Sequence, residues 1–128
     1  MQTAFDVDGQ VLDTMAAALK PGGRLALSAF SAYFQLRSLE EGDDFDASSG
    51  VNRERTSLRG PTGEVLETDL WTSCFTPREL RRLADRSGLT VTGTWSVGPG
   101  AYELRPPSID SPEFLLVAER PQTAEGCQ

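Results

Sequence analysis

Residues Leu19 to Phe30 read LKPGGRLALSAF, and this stretch decides the fold. Pro21-Gly22-Gly23 stops a helix, because proline cannot continue one and glycine accepts left-handed angles. RLALSAF then reads as a strand, with Leu25, Leu27 and Ala29 on one side and Ala26, Ser28 and Phe30 on the other. Neither side is strongly polar, the pattern of a strand covered on both faces within a parallel sheet. Upstream, the spacing of Val11, Leu12, Met15, Ala16 and Leu19 predicts a helix from near Gly9, capped by Asp8, with Lys20 in its last turn. A helix–turn–strand unit of this kind normally sits in the middle of a larger sheet, yet here it begins about ten residues into the chain.

Downstream, SAYFQLRSL predicts a short helix with Tyr33, Phe34, Leu36 and Leu39 inward, and EEGDDFDASSG an acidic loop. Glu40, Glu41, Asp43, Asp44 and Asp46 are conceivable calcium ligands, but they lack EF-hand spacing and a solvated loop is the better reading. VNRERTSLR, the turn GPTG and EVLETDLWTSCF form an antiparallel hairpin lying over the domain as a cap. Thr76-Pro77-Arg78-Glu79 is a capping box with proline at the first helical position, and Phe75 with Leu80 a hydrophobic staple. Leu80, Leu83 and Ala84 make the buried stripe, and Ser87-Gly88-Leu89 a Schellman end. LTVTGTWSV alternates as a half-buried strand near an edge, with Trp95 in the core. GPGAYELRPPSIDSP is a loop, EFLLVAE a strand buried on both faces, and residues 122–128 a disordered tail.

The charge balance bounds function. Twelve basic against 19 acidic side chains leave a net −7, which repels phosphate backbones and anionic lipid, so neither nucleic acid nor membrane is expected as a partner. Two basic clusters stand out: Arg53, Arg55 and Arg59, and Arg78, Arg81 and Arg82. Glu79 and Asp85 interleave with the second, which reads as a solvated helix face. No apolar run is long enough for a membrane helix, no secretory signal is present, and the two cysteines form no disulfide framework, so a cytoplasmic location is expected. Cys74 reads as a small core residue. The chain has no histidine, which removes Ser-His-Asp and Cys-His catalysis, HExxH zinc sites and histidine bases from it. No catalytic residue and no metal ligand is assigned.

Three phrases in order carry a family resemblance. LKPGGRLALSAF resembles the helix, turn and fifth strand of a class I S-adenosylmethionine-dependent methyltransferase of the small-molecule type. CFTPRELRRLADRSGLTVTGTWSV resembles its last helix and sixth strand. SPEFLLVAERP resembles its seventh strand, antiparallel and inserted between strands five and six. The resemblance implies an α/β fold: an incomplete Rossmann-like sheet of strands five, six and seven with two flanking helices, plus the antiparallel cap hairpin. Residues 1–121 form this partial domain, with helix and strand five in 9–30, a substrate-side insertion in 31–75, and the last helix with strands six and seven in 76–120.

The family's glycine-rich loop and ribose-binding acid belong to its first four strands, and no counterpart is found here: Gly22-Gly23 precedes a strand, GPTG is a hairpin turn, and the glycines at 98 and 100 open no helix. The resemblance therefore implies S-adenosylmethionine as cofactor without placing its site in this chain, which is expected to be inactive alone. An exposed edge on strand five would lead to self-association or to pairing with the missing half. A small-molecule methyl acceptor would meet residues after strand five and in the cap: Tyr33, Phe34, Arg37, Arg53, Arg55 and Trp71. Against this, the three aromatics are more often core residues, and Arg53 and Arg55 can equally pair across the hairpin with Glu64 or Glu67. The alternative to an enzyme is a non-catalytic half-domain that assembles with a partner subunit.

Overall fold

The computed structural model describes residues 4–122, with side chains for 9–100 and 103–122. Cys127 and nearly all of the expected tail fall outside the described residues. Ten elements follow in order: α1 (Ala4–Ala18), β1 (Arg24–Ser31), α2 (Ala32–Arg37), β2 (Asp43–Asp46), β3 (Val51–Arg59), β4 (Val65–Phe75), α3 (Pro77–Arg86), β5 (Thr90–Gly98), β6 (Ala101–Arg105) and β7 (Glu113–Glu119). They build one seven-stranded sheet in the order β2-β3-β4-β1-β7-β5-β6. β7 runs antiparallel between β1 and β5, pairing residue by residue with Arg24–Phe30 on one side and Thr90–Val97 on the other.

The core lies on one face of this sheet. Phe114, Leu116 and Ala118 of β7 are fully buried against Leu12 and Ala16 of α1 and Leu80, Leu83 and Ala84 of α3. Leu25, Leu27 and Ala29 of β1 pack against the same cluster. Among the described residues no helix covers the opposite face. Ala26, Ser28 and Phe30 are exposed there, Phe30 by 52%, so β1 is covered on one face rather than on both. β7 likewise alternates, its Leu115 and Val117 only half-buried.

The local signals at α3 act as expected. Thr76 Oγ1 accepts from the Glu79 N–H at 3.2 Å while the Glu79 carboxylate accepts from the Thr76 N–H at 3.0 Å. At the other end Leu89 N–H reaches Ala84 C=O and Gly88 N–H reaches Asp85 C=O, both at 3.0 Å, with Gly88 at φ 80°. This is the Schellman arrangement. The hairpin β3–β4 also forms, in register from Val51 opposite Ser73 to Arg59 opposite Val65, but it extends the sheet beside β1 through β4 instead of lying over the domain as a cap.

Several expectations are corrected. α1 begins at Ala4, so Asp8 lies inside it rather than capping it, and it ends before Lys20. The cation at its carboxyl end is Arg120, whose guanidinium donates to the Leu19 and Ala17 carbonyls from across the sheet. Lys20–Gly23 is instead a tight turn, with Pro21 and then Gly22 at φ 81° in the order a type II turn requires. Part of the acidic loop becomes β2, paired with β3, and part of the second loop becomes β6, which places β5 inside the sheet. The residues expected inward along this segment are largely exposed: Tyr33, Phe34 and Leu36 of α2, and Leu39 after it, are 37–51% exposed. Trp95 leaves the core because a bulge at Thr92 shifts the register between Val91 and Gly93. One extra residue swaps the faces of everything after it. Val91 stays with the core, while the Trp95 ring lies over Gly93 on the helix-free side, 2.7 Å from where a Cβ would stand. No described helix is long and apolar enough to cross a membrane.

Thr76→Ala removes one half of the capping box, and urea unfolding should show a loss of roughly 0.5–2 kcal/mol. A change below a few tenths would mean that the cap does not hold α3.

Candidate functional site

The carboxyl end of β1 is where the chain changes character. Ser31, 1% exposed, closes the strand and caps α2, its hydroxyl accepting from the Phe34 N–H at 3.2 Å. The same end of β1 meets β4, in parallel, at two positions only: Phe30 opposite Cys74 and Ser31 opposite Phe75. Ligands of open α/β sheets gather at such carboxyl ends. Here α2, the β2–β3 turn, the end of β4 and the start of α3 enclose a recess of about 470 Å³. Tyr33, Leu36 and Phe45 give it apolar walls, Cys74 its floor, and Ser48, Ser49 and Thr76 hydroxyls.

The recess carries little charge. Glu79, its single ionisable carboxylate, is engaged in the capping box. The Cys74 thiol is 3% exposed, and burial pushes it up to about 11, so it is a neutral wall and not a nucleophile at ordinary pH. The neighbouring Asp46 carboxylate accepts from the Ser49 hydroxyl at 2.6 Å and the Ser48 N–H at 3.2 Å. Those bonds, the Ser49 hydroxyl first, hold its pKa below the usual carboxylate value.

Of the six residues singled out from the sequence, only Tyr33 lines this recess. Its ring also stands edge-on to buried Phe114, with centroids 6.3 Å apart. Phe34 and Arg37 belong to the same helix but do not line it, and Arg37 is ion-paired with Asp110. The register puts Arg53, Trp71 and Arg55 on the opposite face of the ribbon from Phe45, Thr72 and Cys74. There Arg53 pairs with Asp44 at 3.4 Å and lies 6.0 Å from the Trp71 ring, which is 64% exposed. Arg55 bridges Glu67 at 3.1 Å and Asp69 at 3.6 Å. The cross-strand pairing considered for Arg55 is thus present with Glu67, while Arg53 takes a partner on β2, a strand not expected from the sequence. The three aromatics are not core residues.

The acidic stretch is likewise occupied with itself. Asp43 accepts from the Glu40 N–H at 2.9 Å, Asp44 holds Arg53 and Asp46 closes the turn before β3. Among the described residues no cluster of acids and cysteines has the makings of a metal site.

Sequence reasoning missed Leu36, Phe45, Ser48, Ser49 and Thr76 as a common wall. No short-range pattern links residues this far apart in the chain; they meet through the parallel contact of β4 with β1. A second recess of about 320 Å³ adjoins the first through Tyr33 and is lined by Pro77, Arg78, Arg81, Pro107, Ile109 and Phe114 among others.

No protein-family model matches the chain, and no curated protein matches it significantly. Solved structures do. The CcbJ methyltransferase of Streptomyces caelestis superposes with a TM-score of 0.69 at 15% identity over 91% of this chain and 54% of its own. An S-adenosylmethionine-dependent methyltransferase of Clostridium acetobutylicum gives 0.66 at 11%, over 91% and 52%. CalS10 of Micromonospora echinaspora, an amino pentose methyltransferase solved with S-adenosylmethionine bound, gives 0.52 at 20%, over 93% and 52%. The chain spans about half the length of these structures.

The rate of alkylation of Cys74, followed as the mass of its peptide, should keep rising with pH up to an inflection near 11. An inflection at or below the ordinary thiol value near 8.5 would show the thiol to be open and activated. At these identities the likeness is one of fold alone: the chain's mixed α/β sheet is similar to about half of each of these methyltransferase structures.

Proposed function

We propose that this chain is the carboxyl-terminal part of a small-molecule methyltransferase domain, with the half that holds S-adenosylmethionine outside these 128 residues. The observation that carries the proposal is the state of β1. Along Arg24–Ala29 it pairs with β7 alone, and Ala26, Ser28 and Phe30 lie exposed on its helix-free face. A strand this apolar, unpaired on one edge and bare on one face, fits a place inside a larger sheet. A cytoplasmic location accompanies this reading.

The described residues do not fit a cofactor cradle. Gly22 turns into a strand, Gly60 and Gly63 turn a hairpin, and Gly98 and Gly100 join β5 to β6. None follows a strand to open a helix, the arrangement that brings backbone N–H groups to a nucleotide ligand. This chain supplies the acceptor side. Tyr33, Leu36, Phe45 and neutral Cys74 would exclude water from an apolar acceptor, and the hydroxyls of Ser48, Ser49 and Thr76 would orient it. With no histidine in the chain and no free base in this recess, the acceptor would be an amine or an already acidic hydroxyl. Arg37, Arg53 and Arg55 are all held by carboxylates, which argues against a carboxylate clamp there.

The same open edge supports a second reading, a non-catalytic half-domain that pairs with a partner subunit or with itself. The coding DNA upstream of Met1, translated in frame, separates the two. A strand followed by a glycine-rich turn is expected. A stop codon directly before Met1 would overturn the enzyme reading in favour of the partner-dependent module. Calorimetry on residues 1–128 alone should show no saturable binding of S-adenosylmethionine, and micromolar binding would sink the claim that the cradle lies elsewhere.

A further inference from the structure

The first turn of α3 is electrostatically unusual. Arg78 stands two residues after the Thr76 cap and Arg81 one turn later, at the positive end of the helix dipole, where cations are disfavoured. Their spacing also sets two like charges side by side. Neither has an ion pair or hydrogen bond among the described residues. Glu79, between them in sequence, is engaged by the Thr76 N–H, and Asp85, four residues from Arg81, makes no ion pair with it. The contrast is with Arg37, Arg53 and Arg55, each of which has found a carboxylate in a chain that carries 19 of them.

Both unpaired arginines are exposed on the helix surface. Both line the recess of about 320 Å³ whose walls are Tyr33, Pro77, Pro107, Ile109 and Phe114. Ile109 is 55% exposed at its rim, and Tyr33 is braced from behind by Phe114. Two planar donors beside flat apolar walls form a receptor for a molecule with an oxyanion head and a ring-like body. The amino end of α3 adds to the attraction, since its dipole favours an anion as strongly as it disfavours the arginines.

We infer that this recess binds a small organic oxyanion, with Arg78 and Arg81 holding a carboxylate or phosphate head and Tyr33 and Ile109 flanking its body. Such a site takes its anion whether or not the chain takes part in methyl transfer.

The test titrates the full chain at low salt with benzoate, phenyl phosphate and inorganic phosphate, by calorimetry. Saturable binding of at least one ring-bearing probe at a single site is expected, with inorganic phosphate weaker than phenyl phosphate. Benzoate binding more tightly than phenyl phosphate would assign the head as a carboxylate, and the reverse order as a phosphate. The double variant R78Q/R81Q should weaken binding at least about tenfold, the loss expected for charge-assisted hydrogen bonds. Arg82→Gln removes the same charge from an exposed position on the same helix outside the recess, and should leave binding within about twofold at the same salt. Ile109→Asp, a change in the rim loop rather than the helix, should abolish binding independently. No binding of either ring-bearing probe at about 10 mM, weaker than any useful affinity, would overturn the inference. So would inorganic phosphate binding as tightly as phenyl phosphate, Arg82→Gln weakening binding as much as the double variant, or Ile109→Asp leaving it intact.

Discussion

The structure depends on β7. Among the described residues it is the one strand paired along its whole length on both edges, and Phe114, Leu116 and Ala118 point from it into the face that α1 and α3 cover. β1 and β5 do not touch each other; each is held by β7. α1 and α3 in turn have their apolar stripes satisfied by β7 and by one another. Arg120 extends the same control past the strand. Its guanidinium caps α1, and its backbone pairs with Gly22 and Gly23, so the turn that starts β1 is held by the residue that ends β7. A strand late in the chain thus organises elements at its beginning. Such long-range pairing is slow to form, and it leaves the early strand apolar and unpaired until the last one arrives.

What was legible in the sequence is what local chemistry controls. The capping box at Thr76 and Glu79, the Schellman end at Gly88 and Leu89, the hairpin turn at Gly60–Gly63 and the stop at Pro21–Gly23 all rest on residues within six positions of one another, and all appear where those residues stand. The insertion of EFLLVAE between the two other strands was legible only through family resemblance, since nothing within seven residues states which neighbours they take. The failures are non-local. Trp95 was assigned to the core by unbroken alternation, but a single bulge at Thr92 transfers it to the other face. Phe34, Leu36 and Leu39 were placed inward on helical spacing, yet the six-residue α2 rests on the end of the sheet with none of its residues buried.

The candidate site was legible in its place more than in its members. The segment after β1 does border the larger recess, through Tyr33 and Leu36, and the hairpin does contribute, through Cys74. Arg53, Arg55 and Trp71 lie on the face of the ribbon away from this recess. Strand alternation had offered two faces for the hairpin, and only its docking through Cys74 and Phe75 onto β1 chose between them. Arg78, Arg81 and Arg82 lie exposed, the solvated helix face read from the sequence, but the recess beside the first two was not legible. Interleaved acids made the helix look self-neutralised, and the capping role of Glu79, itself visible in the sequence, withdraws the acid nearest to both.

These placements give the carboxyl end of β1 a polarity. On one side of Tyr33 lies an apolar, hydroxyl-bearing recess with no free charge; on the other lies a recess with two unpaired cations. The Tyr33 ring is fixed between them by Phe114, which is fully buried and pinned in register opposite Ala29 and Ser96. The partition therefore follows from the core and not from a mobile loop. A ligand reaching across it would lay an uncharged body against Leu36 and Phe45 and an anionic end toward α3. The same core residue that closes the helix-covered face thus also positions the Tyr33 ring that divides the two recesses, so a change at Phe114 would move that divide as well as cost stability.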